Sequence, residues 1–337
     1  MKNQVLVPLD GSELAERVLP TAISFAHITG SSIVLLHAMS TVSVSETIGG
    51  IFPATPSVWE NWDDETRSAQ SYLESIANKL TGMKLAVQTE VVEGQAATAI
   101  VKYAKEHPSV RLIAMATHGR SGLGRLVLGS VADRVLHLSP VPTLLVRIAG
   151  HHGTVALGQT DAVRVTYKTI LVPLDSSHLA EQALGHAVDL ASKMDTTLLL
   201  VTALPNAQEG ASVSDEYAPP LLEEVQRSES NRLKTYLLGV AQKLRNRGLK
   251  VQTETPTGAP PAAVLRTAQK SEADLIVMTT HGRSGLQRLW LGSVAANIVH
   301  QSTCPVLLIR ANELKTQEQS VLDLLVEQPT LEEGVPR

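Results

Sequence analysis

The stretch LVPLDGSELAERVL at residues 6–19 returns as LVPLDSSHLAEQAL at 171–184. A longer block, MATHGRSGLGRLVLGSVADRVLHLSPVPTLLVR at 115–147, returns as MTTHGRSGLQRLWLGSVAANIVHQSTCPVLLIR at 278–310, in the same order. Two matched blocks in the same order, offset by about 165 residues, mean that a single folding unit occurs twice. The domains are predicted at 1–149 and 166–311. The Gly-rich stretch GHHGTVALGQTDAVRV at 150–165 between them has few bulky apolar residues and no periodicity, and reads as a linker. The mostly acidic tail, 312–337, carries Val321, Leu322, Leu324 and Leu325, which suggest a short helix.

Within one copy, QVLVPLD is a short apolar run stopped by a turn, the pattern of a buried strand. Leu14, Val18, Ala22, Ile23 and Ala26 then recur at helical spacing, and SIVLLHA reads as strand two. A long variable stretch runs from Met39 to about Asp63. A helix to Leu80 follows, then strand three at LAVQTEVV, a helix at AATAIVKYAKE, strand four at RLIAMA and a Gly-bearing loop. The last helix, SVADRVLHLS, is stopped by Pro140 before strand five, TLLVR. The second copy repeats the strands as TILVPLD, TTLLLVTA, KVQTET, DLIVMT and PVLLIR. Alternating strands and helices imply parallel strands joined by right-handed crossovers. The predicted fold class is α/β, with two repeated doubly wound domains, each a five-stranded parallel sheet flanked by helices. Ligands of such sheets sit outside the carboxyl ends of the strands where strand order reverses, here beside strand one. Pro8 and Asp10 would then face the residues after strand four, 116–130, across one crevice.

Composition narrows the function. With 337 residues, 43% hydrophobic and 18% charged, the chain can bury more than one core, as a soluble globular protein does. A net charge of −4 without a long Lys/Arg run lacks the field that gathers nucleic acid or anionic lipid. The N-terminal MKNQVLVPLDGSE is too short an apolar run for a signal peptide or a membrane span, so the expectation is a cytoplasmic protein with no nucleic-acid or membrane partner. The single cysteine, Cys304, excludes an internal disulfide and a cysteine metal cluster, and reads as a small buried hydrophobe.

The loop after strand four carries the chemistry. Gly119 is separated by nine residues from Gly129 and Ser130, which open a helix, and Gly282 stands in the same relation to Gly292 and Ser293. The unpaired N–H groups and positive dipole end of a helix start favour an anion. Glycine lets the backbone come close to it, and Ser130 adds a hydroxyl. Arg120, Arg125, Arg283 and Arg288 supply positive charge nearby. Neither a GxxxxGK[ST] loop nor a GxGxxG run occurs, so the usual NTPase and dinucleotide fingerprints are missing.

At these residues the sequence resembles the universal stress protein family, over nearly the whole chain as two copies. Its nucleotide-binding members carry Gly-x2-Gly-x9-Gly-Ser/Thr after strand four. The resemblance implies a Rossmann-like, adenine nucleotide alpha hydrolase-like fold and an ATP site made by the strand-one Asp, the backbone after strand two and the Gly loop. By position these are Pro8, Asp10, Ala38, Gly119, Gly129, Ser130 and Val131 in the first copy. In the second they are Pro173, Asp175, Ala203, Gly282, Gly292, Ser293 and Val294. Met115 and Met278 fall where the family packs an apolar side chain near the nucleotide. The first motif Gly is replaced by Ala116 and by Thr279; because Thr is the bulkier, the first copy is expected to be the better site. Bound ATP would bring Mg2+ or Mn2+ on its phosphates. The family also implies pairing through strand five, either between the two copies of one chain or in a homodimer.

Plainer readings stand beside these. Asp10 in DGSE fits a helix cap with Glu13 as capping-box partner, whereas His178 replaces that Glu after Asp175. The glycines fit ordinary turn chemistry. His118 and His281 read as loop-shaping residues, since no nucleophile motif accompanies them, and His151–His152 lack further metal ligands. The stretch 47–64, with Phe52, Trp59 and Trp62, suits a lid or a surface loop; its counterpart carries only Tyr217. The expected function is a stress-response regulator that binds ATP and signals occupancy to a protein partner, with no dedicated catalytic residue. The alternatives are a slow ATPase, a nucleotide-independent interaction or chaperone-like module, and an ATP-using ligase or adenylyl transferase, for which no acyl pocket signature is present.

Overall fold

The computed structural model describes residues 2–39, 56–117, 128–147, 167–205, 220–280 and 291–310. The chain divides into two compact units, Met1–Thr166 and Tyr167–Arg337. The linker, the tail, the aromatic Phe52, Tyr217 and the two histidine pairs His118/His281 and His151/His152 lie outside the described residues.

Unit one contains β1 (Gln4–Pro8), α1 (Glu13–Glu16), α2 (Leu19–Thr29), β2 (Ser32–Met39), α3 (Pro56–Thr81), β3 (Val87–Glu93), α4 (Ala96–Glu106), β4 (Val110–Ala116), α5 (Ser130–Leu138) and β5 (Thr143–Val146). Its strands run in the order β3-β2-β1-β4-β5, and each neighbouring pair is parallel. Strand order therefore reverses between β1 and β4. Val5, Leu6 and Val7 of β1 are buried, as a central strand covered on both faces requires. Helix α2 buries nearly its whole circumference, including Leu19, Ile23 and Phe25.

Unit two follows with β6 (Thr169–Pro173), α6 (His178–Ala191), β7 (Thr197–Val201), α7 (Pro220–Arg245), β8 (Lys250–Glu254), α8 (Pro260–Lys270), β9 (Leu275–Thr279), α9 (Ser293–Gln301) and β10 (Val306–Ile309). Its parallel order, β10-β9-β6-β7-β8, is that of unit one.

The structure departs from the sequence reading in two places. The single helix expected after β1 is broken in unit one at Arg17–Val18, while α6 runs unbroken. The cause is Pro20, which has no N–H for Glu16 and whose ring crowds that carbonyl; Gly185 holds the equivalent place in α6. Second, α3 begins at Pro56, so 56–64 is helical backbone rather than part of a connecting loop. Proline is tolerated in a first turn, where its missing N–H would have no partner anyway.

Candidate functional site

Each sheet leaves a crevice at the reversal point, built from the ends of the two central strands. In unit one the turn after β1 is set by Asp10, whose Oδ1 accepts from the Ser12 backbone N–H (3.0 Å) and the Ser12 hydroxyl (2.6 Å). Ser12 Oγ in turn accepts from the Ala15 N–H at 3.1 Å and caps α1. Unit two repeats this with Asp175 and Ser177 at 3.0 and 2.6 Å, and Ala180 N–H to Ser177 Oγ at 3.1 Å. The capping-box reading is thereby corrected. Serine is the cap, and the aspartate two residues earlier holds that serine in an Asx turn. The residue between them is left-handed, Gly11 at φ 82° and Ser176 at φ 66°.

On the other side of the reversal, Thr117 N–H donates to Val146 O (3.1 Å) and Gly129 N–H donates to Thr117 O (2.8 Å). The corresponding bonds in unit two are Thr280 to Ile309 (2.9 Å) and Gly292 to Thr280 (2.9 Å). These bonds close the neck of the glycine loop and pin the helix start beside the end of β4 or β9. Residues 118–127 and 281–290, with Gly119, Gly282 and the four loop arginines, lie outside the described residues. Gly129 and Gly292 are the N-caps of α5 and α9, and neither supplies a side-chain cap. The first-turn N–H groups are thus presented by backbone alone at the crevice, where a helix start favours negative charge.

The crevice of unit one encloses about 260 Å3 and brings together Pro8, Asp10, Ala38, Met115, Ala116, Gly129, Ser130 and Val131. That of unit two encloses about 320 Å3 and gathers Pro173, Asp175, Ala203, Met278, Thr279, Gly292, Ser293 and Val294. Both volumes lie near the small end of ligand pockets, roughly 300 Å3 and upward. Thr279, the bulkier replacement, lines the larger of the two. Wall residues not singled out from the sequence include Leu36, Ile100 and Thr117 in one, the last within the stretch 116–130 expected at the crevice, and Val201, Val264, Leu233 and Thr280 in the other. Thr117 and Thr280 lie inside the shared block and were within reach, whereas Ile100 and Val264 have the same helical spacing as core residues.

Behind the cap turn, Tyr72 Oη donates to Glu16 Oε1 at 3.0 Å, and Tyr236 Oη donates to Glu181 Oε1 at 2.9 Å. Burial, then the Glu181 carboxylate beside it and more weakly Asp175, push the Tyr236 phenol well above its ordinary range. Cys304 is buried, its thiol pushed up by desolvation, and its N–H is held by Ser302 Oγ at 3.2 Å, as Val141 N–H is by Ser139 Oγ. Its role is packing, as read from the sequence. Among the described residues no cluster of three or more His, Cys, Asp or Glu could hold a metal ion, and no helix is long and apolar enough to cross a membrane.

The fold and its paired crevices define a tandem protein of the doubly wound α/β class, with a ligand-sized opening at each point of strand reversal. The profile of the Universal stress protein family matches residues 1–147 and 166–310. A universal stress protein of Mycolicibacterium smegmatis is 25% identical over 308 residues, covering 91% of this chain and 96% of the relative. One of Methanocaldococcus jannaschii is 33% identical over 144 residues, 43% of this chain and 82% of its own. In structure, a universal stress protein of Archaeoglobus fulgidus aligns with TM-score 0.63 at 21% identity, over 92% of this chain and 97% of the other, a likeness of fold. The chain belongs to the universal stress protein family, with two copies of its domain.

Proposed function

We propose that each crevice holds an adenine nucleotide, ATP foremost, and that the protein acts in the cytoplasm as a nucleotide-dependent regulator of a stress response, passing occupancy to a protein partner. The observation that carries this reading is the juxtaposition, made twice, of an apolar slot with an uncapped helix start. Met115, Ile100, Leu36 and Ala38 form an apolar floor of a size for a heterocyclic base, and the α5 N-terminus with Ser130 suits phosphate. Unit two offers Met278, Val264, Val201 and Ala203 with the α9 N-terminus and Ser293.

Asp10 and Asp175 stand at the rim on the β1 and β6 ends, fixed by their serines. As acceptors they suit hydroxyls of a ribose, and they would repel a phosphate placed beside them. That orders the ligand with its sugar toward the aspartate and its phosphates toward the glycine loop. Mg2+ or Mn2+ carried by the nucleotide would neutralise those phosphates, its remaining positions filled by water. The role is binding rather than rapid turnover, and pairing through strand five belongs to the same reading.

Calorimetric titration of the intact chain with ATP and Mg2+, after stripping and identifying any copurified nucleotide, tests it. Two sites per chain are expected. Absence of heat together with absence of copurified nucleotide would reject the reading in favour of a nucleotide-independent interaction module. Phosphate release beyond one turnover per site would make the protein a slow ATPase instead.

A further inference from the structure

Among the described residues, the two crevices differ in charge at the rim away from the glycine loop. Helix α7 packs against β7 and β8, and α9 starts beside the end of β9, so they flank β6 from opposite sides. From the α7 side, Leu233 lines the crevice and Arg232, its neighbour, extends its guanidinium to the cap turn, with Nη1 3.4 Å from Ser176 Oγ. Ser176 directly follows Asp175. Arg232 also faces Glu229 at 3.8 Å, and its side chain keeps 58% of its exposure, so solvent and ligand reach it.

Unit one carries Ser68 at the matching position. Tyr72 and Tyr236 make the same bond to Glu16 and Glu181, which fixes the register of α3 against α7. Four residues before each tyrosine stand Ser68 and Arg232. The preceding turn reads Asp63, Asp64, Glu65 in α3 and Arg227, Ser228, Glu229 in α7; Asp64 is paired with Arg67 at 2.8 Å. The first turn after the cap likewise has Glu13 in unit one and His178 in unit two. Ser68 to Arg232, Asp63 to Arg227 and Glu13 to His178 make this side of unit two less negative, Glu65 and Glu229 are alike, and Arg67 to Asn231 offsets Asp64 to Ser228.

We infer that the second crevice selects a nucleotide bearing two anionic groups, a 5′ phosphate at the α9 start and a further phosphate on the ribose at Arg232, while the first crevice does not. The inference rests on the nucleotide reading of the site. A guanidinium can hold a phosphate through paired N–H donors, and here it also offsets Asp175, which would otherwise repel that group. The Ser176 hydroxyl would keep the fork in place before the ligand arrives.

The test is calorimetry of the full chain with AMP, adenosine 3′,5′-bisphosphate and adenosine 2′,5′-bisphosphate, using wild type, Arg232→Ala and Arg232→Lys. One site per chain should take one of the bisphosphates about tenfold more tightly than AMP, the effect of one charge-assisted contact. That ratio should fall to within about twofold of unity in Arg232→Ala and be partly kept in Arg232→Lys, which retains charge without the fork. AMP binding with no bisphosphate preference in wild type, or a preference that survives Arg232→Ala, would overturn the inference and leave the nucleotide reading standing. Failure of all three ligands to bind while ATP with Mg2+ binds would overturn the inference alone, and failure of ATP as well would defeat both.

Discussion

Replacing Asp10 separates the structural work of its carboxylate from its proposed contact with ligand. Asp10 is half-buried, and its Oδ1 accepts two bonds from Ser12, at 3.0 and 2.6 Å. Bonds to an ionised acceptor contribute about 1.5–3 kcal/mol each when well protected, and less at a half-exposed rim. Asp10→Ala removes both and should lower the stability of unit one by about 2–3 kcal/mol. Asp10→Asn keeps an oxygen at Oδ1 but makes both bonds neutral, at about 0.5–1.5 kcal/mol each, so its loss should be at most about 2 kcal/mol and below that of Asp10→Ala. Urea unfolding followed by circular dichroism reads the stability, and ATP titration of the same samples reads the site. If the carboxylate meets the ribose, Asp10→Asn should weaken ATP in unit one by about tenfold, out of proportion to its small structural cost. Wild-type affinity in a folded Asp10→Asn protein would remove Asp10 from the ligand. Unchanged stability in Asp10→Ala would refute the account of the cap turn itself. Asp175, with the same two bonds at the same lengths, should behave alike.

Ser176 holds φ 66° where unit one has Gly11 at 82°, and a side chain in the left-handed region costs about 1–2 kcal/mol. Ser176→Gly should therefore stabilise unit two by up to about 1 kcal/mol after the entropy of glycine is deducted, and Gly11→Ser should destabilise unit one by a similar amount, both measurable as shifts in urea midpoint. Burial holds the phenols of Tyr167 and Tyr236 protonated, with their folded-state pKa raised above the ordinary value of 10.0. Their contribution to stability is complete below that value and is lost as pH rises beyond it. Absorbance at 295 nm should show these two ionising only together with alkaline unfolding; reversible ionisation of all five tyrosines in the folded protein would contradict their burial.

Legibility followed the range of the forces involved. Helix α4 was read as AATAIVKYAKE and occurs as Ala96–Glu106, because its apolar face has a clean helical period and no proline interrupts it. The buried strands were equally plain, since a strand covered on both faces must be a continuous apolar run. The break at Pro20 was written in the sequence but was outweighed by the apolar spacing around it, although Gly185 at the equivalent place marked the difference. The start of α3 at Pro56 was hidden because 47–64 has no matched pattern in the second copy and its aromatics suggested a lid. The crevice floor was the least legible part. Ile100 and Val264 lie on helix faces whose other members are core, and only the tertiary fold shows which of them border an opening.

The repeat itself works as a control on what the site needs. The Asp–Ser–helix relay keeps its three distances in both units although the residue between Asp and Ser changes from Gly11 to Ser176 and the one after Ser from Glu13 to His178. A relay that persists at the cost of a strained serine is held by the hydrogen bonds of the aspartate, not by local backbone preference. The glycine neck is equally kept, with a Thr carbonyl receiving the N–H of Gly129 or Gly292. These two fixed elements set the ends of the crevice, whereas the wall between them varies from Ala116 to Thr279 and its rim helix from Ser68 to Arg232. On the nucleotide reading, this distribution of kept ends and a varied side corresponds to a common ligand core with divergent selectivity; the same cap turn also serves the fold by starting α1 and α6.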